Sequence, residues 1–210
     1  MIDYMVKGIP IEKTIYNCDE LKKDLDDRVA KVQGEIAIAA FIDNVNVRGR
    51  IIEYLITDNG STLKNQIIDA LKNKKPLPQF KTEDKLGDYS KTFPEYVTET
   101  DIKTKVLFLD GNPKAYNVDK LLKFLATEKS VYMICLLGID DDGTIIARLC
   151  SVFDNRLVDA TNIIHHWAGR NSRGVAQFLG HALTQILNDE NGIVIDKNKA
   201  ITFIEDMINR

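Results

Sequence analysis

The chain has 210 residues, of which 44% are hydrophobic and 28% charged, and this composition suits one ordinary domain with a real hydrophobic core. A formal net charge of −3 argues against a protein that coats nucleic acid in bulk. It does not exclude a nucleic-acid enzyme, because binding depends on where the lysines and arginines lie.

Membrane insertion and secretion are not expected. No apolar run reaches the roughly 18 residues that a membrane helix needs. The first residues, MIDYMVKGIPIEK, lack the basic start, apolar middle and cleavage site of a signal peptide. The three cysteines are odd in number and widely spaced, which predicts reduced core cysteines in a cytoplasmic protein rather than a disulfide or zinc framework: Cys18, Cys135 and Cys150.

The first third of the chain has helical patterns. Residues 18–44 predict a helix with Asp19 as its N-cap. Residues 46–60 predict a second helix that ends at Asn59-Gly60, with an apolar stripe made by Ile51, Ile52, Leu55 and Ile56. Residues 61–75 restart as a helix capped by Ser61, and the PLPQF sequence that follows stops it.

The rest of the chain alternates strands and helices, which predicts a single α/β domain. A loop and strand region at 79–109 precedes an amphipathic helix, NVDKLLKFLATEK. The apolar run SVYMICLLGID is typical of a strand buried on both faces, and GTIIARLCSVFD follows an Asp-Asp-Gly turn. The segments RGVAQFLGHALTQIL and KAITFIEDMI predict two further helices.

One predicted strand, YVTETDIKTKV at 96–106, is unusually charged. Because side chains alternate, Glu99, Asp101 and Lys103 share one face of it. One interpretation is a solvated antiparallel edge with cross-strand ion pairs. The alternative follows from the context, since a strand followed by a helix and a fully apolar strand is expected to lie centrally in a mixed sheet. There, a carboxylate can hold a hard divalent cation and a neighbouring ammonium can position a water.

Those parts are the ones that a phosphodiester hydrolase needs, because its reaction adds negative charge to a phosphate that is already anionic. Mg²⁺ usually takes one or two protein carboxylates, so a second acid is expected nearby. Asp88 precedes Asp101 by 13 positions (101 − 88), a gap that suits a hairpin bringing the two residues together.

Asp88 followed by Asp101-Ile102-Lys103 resembles the signature of the PD-(D/E)XK nucleases, and the size and layout are similar to those of type II restriction endonucleases. The resemblance implies a restriction-endonuclease-like mixed central sheet flanked by helices. It also implies Mg²⁺ held by Asp88 and Asp101 with help from Glu53, a water oriented by Lys103, and inversion by direct water attack. The implied core contains a helix, a three-strand meander that carries the acids, a second helix and a further strand, in an order that this chain keeps only roughly. The matching segments are the helices 49–57 and 117–127 and the strands around 86–91, 97–108 and 131–139.

The chain departs from the family pattern at two points. Gly87 stands before the first acid, where the family more often has proline. Three other acids lie close enough in sequence to replace Asp88 as the first metal ligand: Asp84, Glu95 and Glu99.

A second cluster, HHWAGRNSRGVAQF at 165–178, predicts a loop that runs into a helix N-terminus flanked by arginines. Helix N-termini bind phosphate and arginine reads guanine edges, so the candidate DNA contacts are Arg170, Asn171, Ser172, Arg173 and Gln177. Gln177 and His181 would be one turn apart on the polar side of that helix. The alternative is a capped helix with solvated arginines.

These patterns and the resemblance to PD-(D/E)XK nucleases together predict a Mg²⁺-dependent endodeoxyribonuclease, best described as a type II restriction enzyme cutting a short site in double-stranded DNA. The whole chain, 1–210, would be one nuclease domain, with its catalytic core at roughly 46–140 and its DNA-recognition and C-terminal helices at roughly 160–210. A palindrome-cutting enzyme is expected to be a homodimer. The alternatives are a nuclease of the same family with a repair or phage DNA-processing role, and a non-catalytic α/β binding module.

Overall fold

The computed structural model describes residues 18–40, 51–52, 55–56, 65–70, 72–76, 87–94, 97–125, 130–142, 144–166, 174–190 and 192–209. Within them, four helices and seven strands have complete bounds. The helices are α1 (Cys18–Ala40), α2 (Val118–Leu125), α3 (Gly180–Asn188) and α4 (Lys197–Asn209). The strands are β1 (Tyr89–Thr92), β2 (Val97–Val106), β3 (Lys114–Asn117), β4 (Ser130–Ile139), β5 (Ile145–Ser151), β6 (Ile163–His166) and β7 (Val175–Phe178).

The larger sheet has four strands in the order β1-β2-β4-β5. β1 and β5 run antiparallel to their neighbours, whereas β2 and β4 are parallel, so the sheet is mixed. The charged strand β2 therefore lies between two others, as predicted, and is not an edge. The α/β class with a mixed sheet flanked by helices is confirmed.

The strand β4 does not extend the β1–β2 hairpin into a three-strand meander. A meander needs antiparallel neighbours, but β4 pairs with β2 in parallel over its whole length, from Val97 opposite Ser130 to Val106 opposite Ile139. A parallel neighbour requires a long crossover connection, and the segment with β3 and α2 supplies it.

The larger sheet separates two hydrophobic cores. On one face, Ile102 of β2 and alternate residues of β4 pack with α1 and with helical residues 51–52, 55–56 and 67. On the other face, Tyr132, Ile134 and Leu136 of β4 pack with α2, α3, α4 and the smaller sheet. Every residue of β4 from 131 to 139 is buried, which confirms the prediction of a strand covered on both faces.

The smaller sheet has the order β3-β7-β6, all antiparallel. It corrects the prediction that RGVAQFLGHALTQIL is one helix, because Val175–Phe178 is a strand and the helix begins at Gly180. The VAQF sequence is too short for its periodicity to distinguish a strand from a helix. Pairing with β3 on one side and β6 on the other gives it a partner for each edge, which local propensity does not reveal.

The first predicted helix is confirmed within the described residues, but its N-cap is not. α1 begins at Cys18, so Asp19 lies in its first turn and is not its N-cap. The predicted apolar stripe is buried: Ile51, Ile52, Leu55 and Ile56. Asn59-Gly60 and Ser61 lie outside the described residues. Among the helices described, none combines the length and apolar character needed to cross a membrane.

Two of the three cysteines confirm the expectation of reduced core residues. Cys135 and Cys150 are free and buried. They lie in the two different cores, on opposite faces of the larger sheet, so they cannot pair with each other. Burial raises the pKa of Cys135 to about 12, as expected for an unreactive thiol.

Candidate active site

The hairpin of β1 and β2 brings Asp88 to Asp101. Tyr89 pairs with Thr100, and continuing this register by one residue sets Asp88 opposite Asp101. Two hydrogen bonds fix the approach: the Asp88 amide donates to the Thr100 carbonyl at 2.9 Å, and the Ile102 amide donates to Oδ2 of Asp88 at 2.8 Å. The predicted hairpin therefore exists, and it places the two acids on adjacent chain segments.

Gly87 permits this close approach. A Cβ at position 87 would lie 2.8 Å from the backbone nitrogen of Thr100 and 2.9 Å from its carbonyl oxygen. Proline, like any residue with a Cβ, would require the backbone to shift. The glycine that departs from the family pattern is thus explained by local sterics, since it lets the chain lie against β2 just before Asp88.

Asp101 and Lys103 form an ion pair on the shielded face of β2. The ammonium Nζ of Lys103 lies 3.0 Å from Oδ2 of Asp101, and the two side chains are 13% and 9% exposed. The hydroxyl of Tyr132, on the neighbouring strand β4, donates a hydrogen bond to the same carboxylate oxygen. The charged face of the strand is therefore not a solvated surface but a satisfied, buried arrangement of charge.

The surroundings of Asp88 shift its pKa. The residue Asp88 is exposed overall, but its carboxyl group is turned into the hairpin toward the Ile102 amide. Loss of solvation, and then the charge of Asp101, raise the pKa of Asp88 above its ordinary value, while Lys103 and the Ile102 amide act in the opposite direction. The negative charge of Asp101 disfavours ionisation of Asp88, and a cation bound between two such carboxylates would offset this repulsion.

Tyr132 stays protonated in this environment. Burial, followed by the charge of Asp101, raises the pKa of the Tyr132 phenol well above its ordinary value. The hydroxyl therefore acts as a donor to the carboxylate. Sequence reasoning did not select this residue, although a tyrosine inside an otherwise apolar buried strand is a usable signal, because a buried hydroxyl needs a partner.

Of the three alternatives to Asp88, Glu99 is the one within the described residues, and its carboxylate helps to hold the β1–β2 hairpin. Oε1 accepts a hydrogen bond from the Ser90 hydroxyl at 2.6 Å, and Oε2 lies 3.4 Å from the Gly87 amide. Ser90 and Glu99 are direct partners in the strand register. This geometry favours Asp88 as the first acid. Glu53, Asp84 and Glu95 lie outside the described residues.

The donor set fits a hard divalent cation. Two carboxylates on adjacent strands, with an ammonium beside one of them, match the oxygen ligands that Mg²⁺ prefers, and Mg²⁺ keeps several waters. A denser acidic group occurs in the described residues only at the exposed β4–β5 turn, formed by Asp140, Asp141 and Asp142. Exposed turn aspartates are common without a metal, and these lie beyond the far end of β4 from Tyr132.

Lys105, on the same face of β2, is buried rather than solvated. Lys105 is 7% exposed, and its ammonium donates a hydrogen bond to the Leu109 carbonyl. It also lies next to the start of α3, where a Cβ on Gly180 would be 3.4 Å from Nζ. Lys105 therefore ties the end of β2 to the turn that follows it.

Of the predicted DNA contacts, only Gln177 falls within the described residues, and Arg170, Asn171, Ser172 and Arg173 lie outside them. Gln177 is on β7. Its side-chain Oε1 lies 2.7 Å from Nε2 of His166, and its side-chain Nε2 donates a hydrogen bond to the Asn112 carbonyl. His181 is on α3 and lies 2.8 Å from Oδ1 of Asn162. The expectation that Gln177 and His181 share one helical face is wrong, because a strand end separates them.

Comparisons with protein-family models, with curated proteins and with solved structures give no match. The function is therefore argued from the geometry around Asp88, Asp101 and Lys103.

Proposed function

We propose that this protein is a Mg²⁺-dependent endodeoxyribonuclease of the PD-(D/E)XK type, acting as a type II restriction enzyme on double-stranded DNA. One observation carries the proposal: the β1–β2 hairpin brings Asp88 beside Asp101, and Asp101 is paired with Lys103 on the interior strand of a mixed sheet. Three residues that the sequence motif selected by spacing alone thus lie at one place in the fold.

Each residue has a role that hydrolysis of a phosphodiester requires. Asp88 and Asp101 would hold the cation, with Glu53 assisting, and a bound Mg²⁺ supplies positive charge that offsets the charge developing on the phosphate. Lys103 would orient the attacking water and stabilise the same developing charge. Water attacks phosphorus directly with inversion, so no covalent intermediate with the enzyme forms.

The burial of the pair supports a catalytic role for Lys103. Electrostatic interactions are stronger away from bulk water, and a charge that is already oriented needs no reorganisation during the reaction. Lys103 is held by Asp101 on a strand with neighbours on both sides, rather than on a loop. Side chains on such strands are held in a fixed position more precisely than side chains on loops, as catalysis requires.

The partner and assembly follow from the same proposal. A restriction-endonuclease-like fold acting as a homodimer would match the two-fold symmetry of a palindromic DNA site. The segment 160–210 would supply DNA contacts, with the arginines at 170 and 173 as candidate base readers. Buried free cysteines suit the reducing cytoplasm, where such an enzyme would work.

Incubation of the purified chain with supercoiled plasmid and Mg²⁺ tests the proposal. Discrete linear fragments are expected for a restriction enzyme, and smears or nicks would indicate a nuclease with another task. DNA that stays intact, with Mg²⁺ or Mn²⁺ and over a range of plasmid sequences, would contradict nuclease activity. The Asp101–Lys103 pair would then be a structural ion pair of a binding module.

A further inference from the structure

Tyr132 and Lys103 hold the same oxygen of Asp101. The Tyr132 hydroxyl donates to Oδ2, and the Lys103 ammonium lies 3.0 Å from that oxygen. In the part of the chain that the structure describes, Oδ1 of Asp101 accepts no hydrogen bond. The two oxygens of this carboxylate are therefore not equivalent.

We propose that Tyr132 is a positioning residue that fixes the orientation of Asp101, so that Oδ1 is presented to the divalent cation. The inference rests on the proposed function. An aspartate side chain turns about its last torsion in broad, nearly two-fold wells, so an unheld carboxylate samples many orientations. Mutating a residue that holds a metal-binding carboxylate in place typically lowers metal affinity or activity by about 10- to 100-fold.

The surroundings of Tyr132 suit this role, because its ring cannot turn away. It lies in β4, in the interior of the sheet, and is 2% exposed. Its ring packs edge-on against Tyr116, with centroids 6.4 Å apart and an interplanar angle of 88°. Tyr116 in turn packs edge-on against Phe178 at 6.1 Å. The phenol is thus clamped by aromatic packing, and its hydroxyl reaches one oxygen of the acid.

Tyr116 offers a matched control from the same core. It is also 2% exposed, and its hydroxyl lies 4.0 Å from Sδ of Met207 rather than at Asp101. Tyr116→Phe and Tyr132→Phe each remove one buried oxygen and keep the ring. A difference between the two variants therefore reports the contact with Asp101 and not the loss of a core hydroxyl.

The test is Mn²⁺ affinity, measured without DNA by electron paramagnetic resonance of the free ion. Wild type and Tyr116→Phe should bind Mn²⁺ equally, and Tyr132→Phe should bind about tenfold more weakly. In cleavage assays, Tyr132→Phe should need about tenfold more Mg²⁺ to reach its half-maximal rate. A merely structural hydroxyl would shift the unfolding temperature but not the metal dependence.

Three results would overturn the positioning role. Equal Mn²⁺ affinity of Tyr132→Phe and wild type, with an active enzyme, would remove this role and leave the nuclease proposal standing. Failure of Tyr132→Phe to fold, while Tyr116→Phe folds, would show that the bond serves the sheet. Absence of both Mn²⁺ binding and cleavage in wild type would remove the proposed function together with this inference.

Discussion

The Nζ atom of Lys103 lies 3.0 Å from Oδ2 of Asp101, two residues away on the same face of an interior strand. Both side chains are largely buried, so the pair has lost much of its solvation, and the contacts it makes must offset that cost. Replacing both residues with well-packed apolar side chains would keep the stability of the sheet about the same. The pair is therefore compatible with the catalytic role proposed for Lys103.

Lys103→Ala should lower the single-turnover rate of DNA cleavage by about 10²- to 10³-fold, because it removes one preorganised charge at the transition state. DNA affinity should change little. Lys114→Ala is the matched control, since Lys114 is an exposed lysine on β3. Equal and mild effects of the two substitutions on the rate would mean that Lys103 has no catalytic role.

Lys105→Ala should act on stability instead. The substitution removes a buried ammonium and leaves the Leu109 carbonyl without this donor, so the free energy of unfolding should fall by about 1–3 kcal/mol. Urea unfolding measures the change. A change below about 0.5 kcal/mol would show that the contact contributes little.

Asp88→Asn should stabilise the metal-free protein at neutral pH while abolishing cleavage. The pKa of Asp88 is raised in the folded chain, chiefly by loss of solvation and then by Asp101. Folding therefore favours the protonated form, and stability is lost as pH rises through the folded pKa. Asparagine keeps an oxygen for the Ile102 amide and removes the repelling charge.

The advantage of Asp88→Asn should depend on pH. Below the unfolded pKa of about 3.9, wild type also carries a neutral carboxyl, so the two proteins should be similarly stable. Above the folded pKa, the full difference should appear. Urea unfolding without divalent ions, across this range, measures it. A variant less stable than wild type at pH 7 would contradict the assignment of charge repulsion.

Arg156→Ala should lower the free energy of unfolding by about 3 kcal/mol or more, because it leaves the fully buried Asp154 without its cation. Arg156 donates to Oδ1 and Oδ2 of Asp154 at 2.7 and 2.6 Å, and to Asp189 at 2.6 Å. It thus links the turn after β5 to the end of α3. Arg156→Lys should recover part of the loss, and an unchanged unfolding curve for Arg156→Ala would refute this role.

Periodicity predicted the elements that tertiary structure does not override. Alternation across β2 placed Asp101 and Lys103 on one face, and the unbroken apolar run of β4 indicated burial on both faces. The parallel pairing of β4 was missed because strand direction depends on the crossover and not on composition. The strand Val175–Phe178 was missed because four residues carry too little periodicity.

The geometry of the candidate site could be anticipated from the sequence only in part. Spacing selected Asp88, Asp101 and Lys103, since a hairpin relates residues of known separation. The hydrogen bond of Tyr132 to Asp101 depends on which β4 residue lies near Asp101, and only the parallel register determines that neighbour. Likewise, the contact of Glu99 with Ser90 follows from the register of β1 on β2, and spacing alone left Glu99 open as a metal ligand.

Plasmid cleavage by wild type and Asp101→Ala, purified in parallel and assayed with Mg²⁺ under identical conditions, tests the nuclease proposal most directly. Asp141→Ala is the control, because it removes an aspartate of the exposed β4–β5 turn. Wild type and Asp141→Ala should cut the plasmid, whereas Asp101→Ala should not cut it but should still bind DNA in a mobility-shift assay. Cleavage by Asp101→Ala at a rate near that of wild type would contradict the assignment of the active site.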